Sequence, residues 1–196
     1  MSDAVFVCAH GAGGHRGDPG MTRAAQTLAG AGFSVVRFNF PYREKGSGRP
    51  DPMPVLKAAV AEAAERARKE LASRKLIIGG RSMGGRAASM LAADGFECDA
   101  LLLLAYPLHP AGQPEKLRDA HLPKIRVPVL CINGTRDALC ERGLMDRTAK
   151  NGCWRMHWLE GADHSFHVLK SSGRTDEDVM AEVGNTAQNW RVQLDA

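Results

Sequence analysis

The chain has 196 residues, 44% apolar and 24% charged, and its 26 basic against 22 acidic side chains give a net charge of +4. That length suits one domain over residues 1–196 with one sizeable core, and the composition is that of a soluble globular protein. The basic excess is scattered and aromatics are only 6%, which argues against nucleic acid, and no apolar run approaches the roughly 18 residues of a membrane span.

Cysteines number five, at irregular spacing and without a CxxC pair. Reduced thiols in a reducing compartment are expected, hence a cytoplasmic location. Asp3 and the short apolar run behind it do not make a secretory signal.

Ala4–Ala9 is a continuous apolar run, read as a strand buried on both faces, and it feeds the glycine-rich loop His10–Gly14. Asp18-Pro19 then supplies an N-cap with proline in the first helical position, and Ala24, Ala25 and Leu28 form the helix's apolar stripe. Phe33–Phe38 is the second strand. An irregular stretch over Asn39–Pro54 follows, in which Arg43, Lys45 and Arg49 face Glu44 and Asp51. Asp51-Pro52 repeats the cap signature ahead of a helix expected to run to about Ala72, with Leu56, Val60, Ala64 and Ala67 on one face.

Leu76–Ile78 reads as the third strand, ending in Gly80-Arg81-Ser82-Met83-Gly84. Ala100–Ala105 is the fourth. The connection Tyr106–Arg126 holds one short helical segment around Glu115–Ala120. Val127–Ile132 is the fifth strand, followed by a helix over Glu141–Lys150, and Cys153–Leu159 is the sixth. Thr175–Trp190 closes the chain as a helix with three acidic residues in its first turn. Six apolar strands alternating with helices predict an α/β fold, a doubly wound and mostly parallel six-stranded sheet with its site at the strands' carboxyl ends.

The glycine-rich turn at Ser82 has the pattern of a nucleophile elbow, in which glycines two residues away on each side let a strained serine stand at the sheet edge. Two other glycine-loop readings fail. No Lys-Ser/Thr follows a GxxxxG, and Arg16 occupies the third glycine of a dinucleotide fingerprint.

Ser82, Asp137 and His164 each follow a strand, and they occur in the chain order Ser, Asp, His. A serine hydroxyl needs an adjacent base, and a histidine base needs an acid to orient it. His167 rivals His164 as the base, and Asp163 rivals Asp137 as the acid. The oxyanion hole is expected from the N–H of Met83 and that of Ala12. Arg43 and Arg81 lie on the same edge and Arg86 starts the helix behind it; one or two of these arginines hold a carboxylate or phosphate of the substrate, or else Arg43 belongs to a solvated basic loop and Arg81 pairs with a neighbouring carboxylate. His109, His15 and His121 lie on loops of that edge, where they either touch substrate or form a solvated surface. His157 falls in a strand pattern and reads as structural. No metal or other cofactor is expected.

The chain resembles the compact α/β-hydrolase-fold family that includes testis-expressed proteins, a subunit of the NSL histone-acetyltransferase complex, and bacterial predicted hydrolases distantly similar to dienelactone hydrolase. The resemblance runs over nearly the whole chain. It rests on His10–Gly14, Arg37–Tyr42, Gly80–Arg86, Tyr106–Pro110, Glu115–Arg118, Gly134–Asp137, His157–Leu159 and Asp163-His164. It implies a sheet lacking the first two strands of larger relatives and Ser82, Asp137 and His164 as the triad. Little or no lid is expected because Tyr106–Arg126, where larger relatives insert one, holds only one short helical segment. Position 82 is Ser, where dienelactone hydrolase has Cys. The activity expected is cleavage of a small ester or thioester. The other reading is a binding or scaffold module on the same fold.

Overall fold

Strand β1 (Ala4–Ala9) pairs on one side with β2 (Ser34–Arg37) and on the other with β3 (Lys75–Arg81), and with helices over both sheet faces its six residues are all buried. The sheet continues through β4 (Ala100–Leu104), β5 (Val129–Gly134) and β6 (Trp154–Leu159), in the order β2-β1-β3-β4-β5-β6 and parallel throughout. The computed structural model describes residues 4–71, 75–150 and 153–194.

Alternation along each strand divides the core in two. Phe6 and Cys8 point toward α1 (Pro19–Gly30) and α6 (Asp176–Leu194), where Met21, Leu28, Val183 and Trp190 bury them. Val5 and Val7 point toward α3 (Met53–Leu71) and α4 (Met83–Ala93), against Leu56, Val60 and Ala88. A parallel sheet covered on both faces follows. Strand order reverses between β1 and β3, so the crevice at this switch point opens beside the loops after those two strands.

Two of the three expected caps form. Asp18 accepts from Met21 N at 2.7 Å with Pro19 behind it. Thr175 and Asp178 make a reciprocal capping box at the start of α6, with bonds of 3.1 and 2.8 Å. The expected helix end at Ala72 lies outside the described residues, the helix expected over Glu141–Lys150 forms as α5 (Arg142–Ala149), and α6 runs four residues past Trp190.

Four local readings need correction. The stretch after β2 is not wholly irregular, because Pro41–Glu44 forms the short helix α2. Asp51 does not cap α3; its carboxylate accepts the Tyr42 N–H at 2.8 Å and so holds α2. No helix forms around Glu115–Ala120: Arg118 N donates to Leu108 O at 2.7 Å, and the turn closed by Lys116 N on Gln113 O is too short to nucleate one. A 3₁₀ turn over Leu122–Lys124 stands there instead. Strand β5 begins two residues later than expected, after Pro128, which cannot donate to a ladder.

Candidate active site

Strand β3 runs through both glycines to Arg81, and Ser82 sits between strand and helix at φ 51°, ψ −118°. This is a sparsely populated conformation for a residue with a side chain. The glycines make it attainable. A Cβ at Gly80 would lie 2.1 Å from Ala9 O, and one at Gly84 would lie 2.4 Å from the same oxygen. The elbow is therefore pressed against the end of β1, and Ser82 N is tied to Leu104 O at 2.9 Å.

Around Ser82 the structure gathers residues from three other loops. His164, after β6, places Nε2 2.9 Å from Ser82 Oγ. Its Nδ1 lies 2.8 Å from Asp137 Oδ2, and the Asp137 side chain is shielded from solvent. A neutral ring donating from Nδ1 and accepting the serine proton at Nε2 satisfies both contacts. Asp137 is itself held: Leu139 N donates to Oδ1 at 2.8 Å, and Asn133 Nδ2 donates to Oδ2 at 3.2 Å. Asn133 also bridges both backbone polar groups of Tyr106, locking the loop after β4 to that after β5.

The rival residues go elsewhere. Asp163 Oδ1 accepts the amides of Ser165 and His167, shaping the turn that carries His164. His167 pairs with Asp176 at 3.0 Å, and His157 with Glu182 at 2.7 Å. A second serine–histidine contact, Ser89 Oγ to His121 Nε2 at 2.8 Å, lies one helical turn past Arg86, and Ser89 gives its own proton to Arg86 O. Burial and the nearby Arg86 charge lower His121 to about 4.

The loop after β1 is oriented from behind. Gly11 O accepts from Gly14 N at 3.1 Å and from His10 Nδ1 at 2.8 Å. In a trans peptide the N–H points opposite the C=O, so the Ala12 N–H is turned away from those donors. Tyr42 Oη donates to Ala12 O at 2.8 Å, and buried His10 accepts Phe40 N at Nε2. Met83 opens α4, and its N–H has no intrahelical partner. Among the described residues no acceptor takes the N–H of Ala12 or Met83, and both residues line the same cleft as Ser82, about 570 Å³ in volume.

Of the residues expected at the mouth, Arg43 donates Nε to Gly14 O at 2.8 Å and an Nη to Gly13 O, so it braces the Ala12 loop. Arg81 donates to His164 O at 3.0 Å and lies over the Phe166 ring. Burial lowers its pKa, against which Asp18, Asp163 and Asp137 act to keep it charged. His109 is buried with both ring nitrogens engaged, by Pro110 O and Glu141 N, each at 2.9 Å. None of these three lines the Ser82 cleft. His121 is half-buried against Ser89 and does not line the cleft, and His15 sits in an exposed turn. Arg86 and Arg118 do line the cleft. Both fall in stretches that carry the family resemblance, Gly80–Arg86 and Glu115–Arg118, and the i, i+4 spacing from Ser82 is a further signal for Arg86.

Comparison with known proteins bears on the fold and the family. A family model described as an alpha/beta hydrolase domain matches residues 2–192. An alpha-beta serine hydrolase homologue from Coxiella burnetii superposes with a TM-score of 0.73 at 18% identity, covering 96% of this chain and 85% of the other. Dienelactone hydrolase from Anabaena variabilis gives 0.72 at 20% identity, covering 97% and 86%. An α/β serine hydrolase without a lid, from Xanthomonas campestris, gives 0.73 at 22% identity, covering 97% and 83%. At these identities the likeness is one of fold.

Proposed function

Since the chain belongs to the alpha/beta hydrolase domain family, we propose that it is a serine hydrolase cleaving a small carboxylic ester or thioester. The observation that carries this reading is the continuous path from Ser82 Oγ through His164 to the shielded Asp137, with contacts of 2.9 and 2.8 Å. In the reaction, Ser82 Oγ attacks the substrate's carbonyl carbon while His164 Nε2 takes its proton. Asp137 stabilises the imidazolium and holds its tautomer. The N–H groups of Ala12 and Met83 receive the developing oxyanion. His164 then protonates the leaving alcohol or thiol, giving an acyl-Ser82 ester. Water, deprotonated by His164, attacks that ester and releases the acid, and the proton returns to Ser82.

Within the family we place the chain beside the compact testis-expressed and NSL-subunit-like branch, on the motifs from His10 to His164. Its partner is a small-molecule ester, with no nucleic acid or membrane. Five free cysteines fit work in a reducing cytoplasm, and among the described residues no helix is long and apolar enough to cross a membrane.

The test is labelling by a fluorophosphonate probe together with p-nitrophenyl acetate turnover. Wild type is expected to label and turn over, and Ser82→Ala to lose both while keeping its melting temperature. A Ser82→Ala variant with wild-type turnover would refute Ser82 as the nucleophile, and a wild type that neither labels nor turns over would leave the reading of a binding module.

A further inference from the structure

The arginines near the site differ in what they face. Arg43 and Arg81 give N–H groups to backbone carbonyls, and Arg81 has three carboxylates around it. Arg86 has neither. Its Nε is fully buried without a hydrogen-bond partner, and it is the sole side-chain nitrogen or oxygen in that condition among the described residues. Buried polar atoms of folded proteins are nearly all paired, so an unpaired one needs a reason.

That atom is closed to solvent, while other atoms of Arg86 line the cleft beside Ser82. Arg86 follows Ser82 by four residues, which puts both on one face at the start of α4. Arg118, from the loop after β4, lines the same cleft. Among the described residues neither arginine is paired with a carboxylate. The cleft's one acid, Asp51, has an oxygen committed to Tyr42 N. Burial and the like charge of Arg118 both work against a charged Arg86. Two cations thus line one cleft beside a nucleophile, and among the described residues neither is ion-paired. The rest of the wall is largely apolar, with Met53, Leu56, Met83, Pro110 and Leu139, which suits a short methylene spacer.

We propose that Arg86 and Arg118 form an anion subsite next to Ser82, and that the substrate is an ester or thioester carrying an acid group. The proposal rests on the serine hydrolase reading. It assigns the two arginines to binding and leaves the chemical step to Ser82, His164 and Asp137. A guanidinium offers paired N–H donors to a carboxylate or phosphate, and the gain is largest where water is excluded.

Two ester pairs test it at low ionic strength. One is the mono-p-nitrophenyl ester of glutaric acid against its methyl-capped counterpart. The other has the acid on the leaving group, with its methyl ester as control. In at least one pair the acidic member is expected to show kcat/KM about tenfold higher, mainly through KM, with the advantage shrinking as salt is raised. Arg86→Met or Arg118→Met is expected to bring that ratio to about one, Arg86→Lys to retain part of it, and Lys45→Met, on an exposed loop, to leave it intact. Independently of the variants, glutarate but not its dimethyl ester is expected to slow fluorophosphonate labelling of wild type.

Equal kcat/KM within both pairs, with hydrolysis still dependent on Ser82, would overturn the subsite and leave the hydrolase reading standing. So would an acid preference that survives both Met variants. Turnover that persists in Ser82→Ala would overturn both.

Discussion

Replacing Asp137 by Asn is the sharpest probe of how the site works, because the structure fixes what each new atom would meet. Asp137 Oδ1 accepts Leu139 N at 2.8 Å, while Oδ2 accepts His164 Nδ1 at 2.8 Å and Asn133 Nδ2 at 3.2 Å. An asparagine has one acceptor oxygen and one donor nitrogen. With its oxygen toward Leu139 it keeps the shorter backbone bond, sets its NH₂ against that of Asn133, and donates to His164 Nδ1. The imidazole must then carry its proton on Nε2, facing Ser82 Oγ, and no base remains. The opposite orientation keeps the tautomer at the cost of two opposed donors at Leu139 N, where the existing bond is the shorter one. The first orientation is therefore expected. The loss in kcat is about 10⁴-fold, or about 5 kcal/mol of barrier, the size such a change has in a serine-protease triad.

The assay is steady-state turnover of p-nitrophenyl acetate alongside the rate of fluorophosphonate labelling. Both are expected to fall together while KM changes little, since Asp137 touches no substrate. One opposed donor pair costs about 1–3 kcal/mol, so the fold survives with a modest drop in melting temperature. Asp163→Asn is the control. Its Oδ1 takes two backbone amides, a role an amide oxygen fills, and less than about fivefold loss is expected. An Asp137→Asn enzyme keeping a tenth of its turnover, or a crippled Asp163→Asn, would refute the assignment of the acid.

Two further outcomes follow from groups around the cleft. His121 is held near pH 4 when folded, below its unfolded value near 6.5, so the unfolded chain binds more protons between them. Its contribution to stability is full above pH 6.5 and is lost as pH falls toward 4; His121→Gln should therefore narrow the gap in melting temperature between pH 7 and pH 5. The connection after β4 offers only a 3₁₀ turn and no lid helix, so rates should peak with short or medium acyl chains, each buried methylene being worth about 0.8 kcal/mol only where there is wall to meet it. A jump in rate above the micellar threshold of a long-chain ester would contradict the second, and an unchanged gap would contradict the first.

The strands were legible because a parallel sheet buried on both faces demands unbroken apolar runs, and Ala4–Ala9 and Ala100–Leu104 are such runs. The caps at Asp18 and Thr175 were legible because capping is local, a side chain meeting an amide three residues on. Ser82, Asp137 and His164 stood out because each follows a strand. What stayed hidden is what depends on a partner distant in sequence. Asp51 has the look of a helix cap, yet its partner is Tyr42 N, nine residues back. His109 has the look of a mouth residue, yet its ring is filled by Glu141 N, 32 residues away. Asn133 carries no pattern, although it joins two loops and steadies Asp137.

The arginines show the same limit most sharply, and stability can separate them. Arg81 and Arg86 are five residues apart, and burial depresses both. Yet Arg81 satisfies His164 O and sits among Asp18, Asp163 and Asp137, whereas Arg86 leaves Nε unpaired and faces Arg118. Removing one partner of a satisfied pair strands the other, while replacing an unpaired cation by an apolar side chain of similar volume relieves a cost. Arg81→Met is therefore expected to lower the melting temperature, and Arg86→Met to raise it by about 2 °C or more, the size of a relieved unpaired donor in a chain of this length. Sites that bind or react are commonly kept at the expense of stability. A variant that is more stable yet indifferent to the substrate's acid group would have that signature. If both substitutions destabilise equally, Arg86 is satisfied by contacts of the ordinary structural kind, and its burial calls for no ligand.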